Sequence, residues 1–262
     1  MHRLPAALLA VSTLAACATS GGGAQSIDAT GALASARPVD RQARERIARE
    51  DTLTQMAFWA GEYQTFPNDL EAAQRFAESL RKGGRVDRAV QIAGEAIGRF
   101  PEDRQLLTTY GLAQIASNRP REALRPLAMV AAAEPDNWRV RSALGAALDQ
   151  LGRYTEARQA YQEALALQPD DPRILTNLGV SHIMSGEPAD AEPILRRAVA
   201  RPNAPPEARQ NLAIAVALQG RFDEAEQLER IDLPPAQAAE NIRFLRGLLS
   251  DPRRWGDLGR EG

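Results

Sequence analysis

The residue of this sequence that is best placed for covalent chemistry is Cys17, the only cysteine of the chain. It follows a short start containing His2 and Arg3, and then an almost unbroken apolar run, residues 4–16, that ends in small side chains. A positive start, an apolar run and small final residues are typical of a secretory signal peptide. The run is too short to cross a bilayer, which needs about 20 apolar residues. We therefore expect this segment to direct export.

The four residues that end at the cysteine, Leu14-Ala15-Ala16-Cys17, resemble the bacterial lipobox. The resemblance implies that residues 1–16 are removed, that the Cys17 sulfur is diacylated and that the new amino terminus is acylated. Two or three acyl chains give stable anchoring, because each buried CH₂ contributes about 0.8 kcal/mol. Ala18 stands where the inner-membrane retention signal would be Asp, which favours the periplasmic face of the outer membrane. The alternative is an ordinary signal peptide with an Ala-x-Ala cleavage site, in which Cys17 falls by chance.

The composition of the chain limits the kinds of functional site that it can form. A net charge of −2 provides no basic surface for nucleic acid, so we expect no nucleic-acid partner. After removal of residues 1–16, His182 is the only histidine, which excludes a Cys/His zinc site and leaves one residue for any Ser-His-Asp or Cys-His pair. The glycine run at 21–23 lacks the strand and helix of a phosphate-binding loop. We expect no catalytic residue, no metal and no cofactor.

The segment that follows the signal, residues 17–40, carries the cysteine and is rich in Ser, Gly, Ala and Thr. Such composition is typical of a flexible linker. Its mean reach is about 25 Å, from roughly 5–6 Å times the square root of the residue number. We expect it to tether the folded part to the membrane at a distance.

A repeat of 34 residues dominates the rest of the chain. Alanines recur at this interval: Ala89, Ala123, Ala157, Ala191 and Ala225. Five residues before each alanine stands a glycine or asparagine: Gly84, Asn118, Gly152, Gly186 and Gly220. Earlier in each unit a large apolar residue precedes a small one: Phe76-Ala77, Tyr110-Gly111, Leu144-Gly145, Leu178-Gly179 and Leu212-Ala213. Prolines close four units: Pro101, Pro135, Pro169 and Pro202. A fixed period of this length indicates a solenoid.

Each class of repeated residue suits one place in a helical hairpin. The small residues allow two helices to pack closely, the Gly or Asn ends the first helix in the left-handed conformation, and the proline ends the second helix. The units resemble tetratricopeptide repeats (TPR), with boundaries at 70–103, 104–137, 138–171, 172–205 and 206–239. The resemblance implies an all-α TPR solenoid of five to six hairpins, with five units over residues 70–239. His182 falls at the eleventh position of its unit, where we expect a core or groove residue.

The ends of the array depart from this pattern. Residues 41–63 show the spacing of one helical segment. Residues 41–69 lack the repeated Gly and Ala, so they form either a degenerate unit or a helix that packs on the first repeat. The fifth unit breaks at Leu233-Pro234-Pro235, which predicts a short second helix. Residues 240–250 are expected to be a capping helix. Residues 251–262 are expected to be a polar tail.

By the geometry of the family, the fifth, ninth and twelfth residues of each unit point into a concave groove. The expected partner-binding residues are Gln74, Thr108, Leu112, Ile115, Ser142, Thr176, Val180, Ile183, Gln210 and Ile214. The residue at the fifth position of each unit is polar and uncharged and could hold a peptide backbone. The apolar residues at the ninth and twelfth positions favour an interaction site. The alternatives are that these side chains pack against neighbouring helices, or that the N-terminal helix covers them.

The lipobox, the linker, the repeats and the stretch Asn-Ile-Arg-Phe-Leu-Arg-Gly-Leu-Leu at residues 241–249 together resemble the TadD family, the TPR lipoproteins of the tight-adherence (Tad, Flp pilus) secretion system. The resemblance implies a pilotin or assembly factor that binds the outer-membrane secretin. Two other interpretations remain: a scaffold for a different envelope complex, such as a type IV pilus pilotin or a factor in outer-membrane protein insertion, and an accessory subunit of a cell-wall enzyme.

Overall fold

The computed structural model describes residues 39–250, and every regular element in this part of the chain is helical. The helices are α1 (Arg41–Ile47), α2 (Thr52–Thr65), α3 (Leu70–Lys82), α4 (Val86–Ile97), α5 (Arg104–Ala116), α6 (Pro120–Ala133), α7 (Trp138–Gln150), α8 (Tyr154–Leu167), α9 (Pro172–Met184), α10 (Pro188–Val199), α11 (Pro206–Leu218), α12 (Phe222–Glu229) and α13 (Pro235–Ser250). Cys17 and the expected signal peptide lie outside the described residues, as do most of the linker and the tail 251–262. None of the described helices has the length and apolar character needed to cross a membrane.

The repeated residues set where the helices begin and end. Four first helices of the hairpins start at a side chain that accepts a hydrogen bond from a backbone N–H of the first turn: Asp69, Asp103, Asn137 and Asp171. The predicted left-handed residues after the first helices have φ between 56° and 82°: Gly84, Asn118, Gly152, Gly186 and Gly220. The second helices end shortly before the repeated prolines. The repeat therefore encodes its own hairpins.

The hairpins stack into a curved solenoid. We call α3, α5, α7, α9 and α11 the A helices and α4, α6, α8, α10 and α12 the B helices. Backbones of neighbouring A helices come within 8 Å of one another, whereas among the described residues those of neighbouring B helices do not. The A helices therefore line the inner, concave face. The predicted all-α solenoid of helical hairpins is confirmed.

Close packing within each hairpin depends on the small residues of the A helices. A Cβ added at Gly111 would come 2.6 Å from Leu127, and one added at Gly179 would come 2.5 Å from Leu195. Protein interiors are packed too densely to absorb such an overlap freely. The buried side chains form a succession of clusters along the array, because each unit buries its apolar surface against its neighbours.

A buried arginine joins the N-terminal hairpin to the first repeat. The Arg44 guanidinium donates hydrogen bonds to Glu62 (2.7 Å), Asp69 (2.5 Å) and Glu71 (3.0 Å), and its carbon lies 5.5 Å from the centre of the Trp59 ring. Residues 41–63, expected as one helical segment, instead form α1 and α2, which are separated at residues 48–51 by a turn. The α2 helix starts 34 residues before α4, so this hairpin is in register with the repeats.

The C-terminal end has a short hairpin and a longer final helix. The α12 helix has only 8 residues, as the Leu-Pro-Pro break predicts. The α13 helix runs from Pro235 to Ser250 and so includes residues 240–250, where the capping helix is expected. Its buried residues include Ile242 and Leu248.

Candidate functional site on the concave face

A row of apolar side chains runs across the concave face at the ninth position of successive repeats. Its members, Leu112, Ala146, Val180 and Ile214, lie 34 residues apart on α5, α7, α9 and α11, and all four are partly exposed. We call these four residues the apolar stripe. Apolar surface left in contact with water costs roughly 25 cal/mol per Å², so a contiguous row of it is suited to a partner.

One further apolar residue extends the stripe. Met184 lies one helical turn after Val180, on the same side of α9, and 46% of it is exposed. Met184 is not among the predicted groove residues, because it does not stand at the fifth, ninth or twelfth position of its repeat. The i, i+4 relation to Val180 was the signal that could have found it.

The twelfth positions differ from one repeat to the next. Ile115 and Ile183 are partly exposed, but they also pack against the buried clusters beneath the groove. Asp149 and Ala217 are buried, and Arg81 lies in a polar part of the groove. Ile115, Ile183 and Leu112 therefore pack partly between helices, which was the alternative to a role in binding a partner.

The fifth positions use much of their hydrogen-bonding capacity within the protein. Gln74 donates to Asp103, while Thr108 and Thr176 donate to carbonyl oxygens of their own helices. Ser142 accepts a hydrogen bond from Asn177 at 3.3 Å and is buried, and Gln210 is exposed. Because the two threonine hydroxyl protons are engaged, those side chains offer a partner acceptors rather than donors.

The first repeat gives the groove a charged end. Glu78 stands in the ninth position of that repeat and accepts two hydrogen bonds of 3.0 Å from Arg81. Lys82 is 3.3 Å from the same carboxylate. Burial opposes ionisation of Glu78, but Arg81 and Lys82 outweigh it and hold the pKa of this carboxyl below its usual value. The groove thus runs from a charged first repeat to an apolar stripe over the next four.

The N-terminal hairpin does not cover the stripe. The backbones of α1 and α2 approach only each other and α3 among the described helices. Side chains of α2 reach α4 and the residues after it, where Tyr63 contacts Glu95 and Arg99. In the described part of the chain, the N-terminal helices therefore do not cover the stripe, which was one of the alternatives for these side chains.

A buried carboxylate joins the third repeat to the fourth. Asp149 accepts hydrogen bonds from the Tyr161 hydroxyl (2.9 Å) and the Ser181 hydroxyl (2.6 Å). Burial raises the pKa of Asp149, and the two hydroxyl donors only partly offset this. Asp149 stands at a twelfth position, which was expected to point into the groove. It instead forms a buried polar joint between two repeats.

His182 lies next to this joint, in a polar depression. Its Nδ1 is 2.9 Å from Glu187, which also accepts a hydrogen bond of 2.5 Å from Arg158. These residues line a cavity of about 540 Å³. His182, Glu187 and Asp190 have possible metal-ligand atoms within 4.8 Å of one another. The Arg158 guanidinium already occupies the Glu187 carboxylate, so its positive charge opposes a cation at this place.

Comparison with known proteins agrees with the geometry of the hairpins. Two family models match, one described as TPR repeat at residues 145–186 and one described as tetratricopeptide repeat at residues 176–238. Residues 145–238 are therefore similar to tetratricopeptide repeats, and proteins built from such repeats are generally non-enzymatic scaffolds for protein–protein interaction. The comparison with curated proteins gave no match.

Three solved structures illustrate the similarity. MamA of strain MSR-1 is 27% identical over 60% of this chain and 89% of that chain, with a TM-score of 0.51. MamA of Desulfovibrio magneticus RS-1 is 20% identical over 60% and 89%, with a TM-score of 0.54. A thermophilic TPR protein of Thermus thermophilus is 23% identical over 70% and 100%, with a TM-score of 0.58. The last two similarities concern the fold alone.

Proposed function

We propose that this protein is a non-enzymatic scaffold, lipid-anchored at the periplasmic face of the outer membrane, that holds a segment of a partner protein on its concave face. The observation that carries this proposal is the apolar stripe, four partly exposed side chains in register on consecutive A helices. The stripe is open to solvent on the face that the A helices line, and the N-terminal hairpin leaves it uncovered.

The side chains of the groove suggest which kind of surface the partner segment has. Val180 and Ile214 lie at matching positions of adjacent helices, with Met184 one turn away. Together they offer an apolar surface to an apolar face of a helix or an extended strand. The Glu78–Arg81 pair at the first repeat adds charges that can fix the direction of the segment, since charged rims contribute more to orientation than to affinity.

We further propose that the partner is a secretin or another assembly component of a Tad (Flp) pilus. This step rests on the resemblance of the lipobox, linker, repeats and residues 241–249 to the TadD family. In this account the acyl chains on Cys17 place the protein on the outer membrane, the linker provides reach, and the stripe holds a secretin segment until the subunits oligomerise.

The proposal is tested in a strain that lacks the gene, by following the detergent-resistant secretin multimer. We expect the multimer to be lost and to return with the wild-type gene. Cys17→Ala should fail to restore it because the anchor is gone, and Val180→Asp with Ile214→Asp should fail because the stripe is charged. Met129→Asp is the matched control, since Met129 is 42% exposed on the B helix α6, and it should restore the multimer.

The outcomes separate the parts of the proposal. A normal multimer in the deletion strain would overturn the secretin assignment. Restoration by Cys17→Ala at normal abundance would overturn the role of the anchor. Equal restoration by the stripe variant and the Met129→Asp control, both with unchanged helical content, would overturn the role of the groove.

A further inference from the structure

A tryptophan in contact with two arginines lies at one edge of the concave face. The Arg139 guanidinium carbon is 4.4 Å from the centre of the Trp138 ring, and that of Arg173, in the next repeat, is 4.8 Å from it. Trp138 is partly buried and packs against the cluster that contains Ile174 and Leu178, so its ring is held against α9. We call Trp138, Arg139 and Arg173 the basic rim.

The two arginines of the basic rim share a helix face with the apolar stripe. They stand at the second position of their repeats, seven residues before Ala146 and Val180. Seven residues make almost two turns of an α-helix, so side chains at the second and ninth positions lie on the same side, about 10 Å apart along the axis. Arg139 and Arg173 are both exposed. A segment that lies on the stripe can therefore reach them.

The described residues neutralise only part of the charge of the basic rim. Arg173 donates hydrogen bonds from Nε and Nη2 to the buried Asp171. Arg139 forms no ion pair with a described residue. An arginine that stacks on an aromatic ring still presents N–H donors in the planar arrangement that fits a carboxylate. The basic rim is therefore suited to an acidic group.

The second positions of the other repeats do not carry positive charge. They are Glu71, Gln105 and Glu207. Glu71 is bound to Arg44, and Glu207 is exposed. Among the second positions, positive charge is thus confined to the third and fourth repeats, and Glu207 would repel an acidic group placed over the fifth.

We infer that the basic rim binds an acidic side chain of the partner segment that the apolar stripe holds. This inference rests on the proposed function and adds to it the chemistry of the partner. The segment carries Asp or Glu about 10 Å from its apolar residues, which is seven residues in a helix and three in an extended strand. The pairing of charges fixes where along the groove the segment lies.

Selection from a random peptide library tests the inference. The peptides are displayed without a free C terminus and are selected on the full mature chain. We expect the selected peptides to be enriched in Asp or Glu at one of these two spacings from apolar residues. Arg139→Glu with Arg173→Glu should select Lys or Arg there instead, because the charge of the rim is reversed.

The affinity of one selected peptide, measured by fluorescence anisotropy, gives a second readout. Replacing its acidic residue by the amide should weaken binding to the wild-type protein about tenfold, and this arm requires no variant of the protein to fold. Arg139→Gln with Arg173→Gln should weaken binding of the acidic peptide by a similar factor and should no longer distinguish it from the amide peptide. Arg121→Gln with Arg125→Gln is the matched control, because it removes two exposed arginines from the B helix α6, and it should leave the affinity unchanged.

The outcomes separate this inference from the proposed function. Peptides that need Val180 and Ile214 for binding but show no acidic enrichment would overturn the inference and leave the proposed function standing. Equal losses of affinity in the rim variant and the Arg121/Arg125 control would also overturn the inference. Failure to select any peptide, or selection that Val180→Asp with Ile214→Asp does not change, would overturn the role of the groove and this inference with it.

Discussion

The Tyr161 hydroxyl donates a hydrogen bond of 2.9 Å to the buried Asp149 carboxylate. This contact is possible because Gly145, one turn before Asp149, has no side chain and lets the Tyr161 ring lie against α7; a Cβ there would be 2.6 Å from the ring. Ser181 of the next repeat donates to the other carboxylate oxygen. A hydrogen-bonded carboxylate thus links the third and fourth repeats at the middle of the array.

The Asp149 carboxyl should give the protein a measurable pH dependence. Because burial raises its pKa above the ordinary 3.8, the folded protein binds this proton more tightly than the unfolded chain does. The stabilising contribution is therefore fully present below about pH 3.8 and is lost as pH rises through the folded pKa. Relative to Asp149→Asn, the wild-type free energy of unfolding should fall from pH 3 to pH 7 in urea titrations. A difference that stays constant over this range would contradict the assignment.

Enlarging the residue beneath the tyrosine should be costly. Gly145→Ala forces the Tyr161 ring away from α7, and we expect a loss of about 1–3 kcal/mol in the free energy of unfolding. Gly61→Ala is the matched control, because it is also in a helix and its added Cβ meets nothing within 4 Å. The control should stabilise by roughly 0.5–1 kcal/mol, as alanine is favoured over glycine in helices. Chemical denaturation measures both, and equal effects would show that the ring is not held closely.

The buried arginine should hold the N-terminal hairpin in place. Arg44→Met leaves the Glu62 and Asp69 carboxylates without their guanidinium, and we expect a loss of about 3–5 kcal/mol. Arg41→Met removes an ion pair to Glu45 on the same helix, but the Arg41 side chain is 93% exposed, so the loss should be below about 0.5 kcal/mol.

Hydrogen exchange of α1 and α2 distinguishes local from global effects. In Arg44→Met we expect these two helices to exchange faster while α5–α11 stay protected. A loss of protection that is uniform along the chain would contradict a local role for Arg44.

The repeat made most of the fold readable from sequence, because its residue types have separate physical roles. Backbone preference explains the positive φ of Gly84 and Asn118. The absence of a side chain at Gly111 explains the close approach of Leu127. The N-terminal hairpin was harder to predict. Its ion pairs from Arg44 to Glu62, Asp69 and Glu71 join residues far apart in the chain, and long-range ion pairs leave no periodic signal in a sequence.

The candidate site was only partly readable for a related reason. Side-chain spacing places Val180 and Ile214 on one face, which is a property of each helix alone. Whether a polar side chain in the groove is free depends on its neighbours in its own repeat and in the next one. Asp149 accepts hydrogen bonds from Tyr161 and Ser181, and Gln74 donates one to Asp103. Neither set of contacts follows from the period of 34.

The central claim is that the apolar stripe touches a partner protein, and site-specific crosslinking tests it most directly. A photo-activated amino acid is placed at position 180 in cells and, as the matched control, at position 129 on α6. We predict that position 180 gives an adduct with a secretin subunit, identified by mass spectrometry, and that position 129 does not. No adduct from position 180, or the same adduct from both positions, would contradict the account.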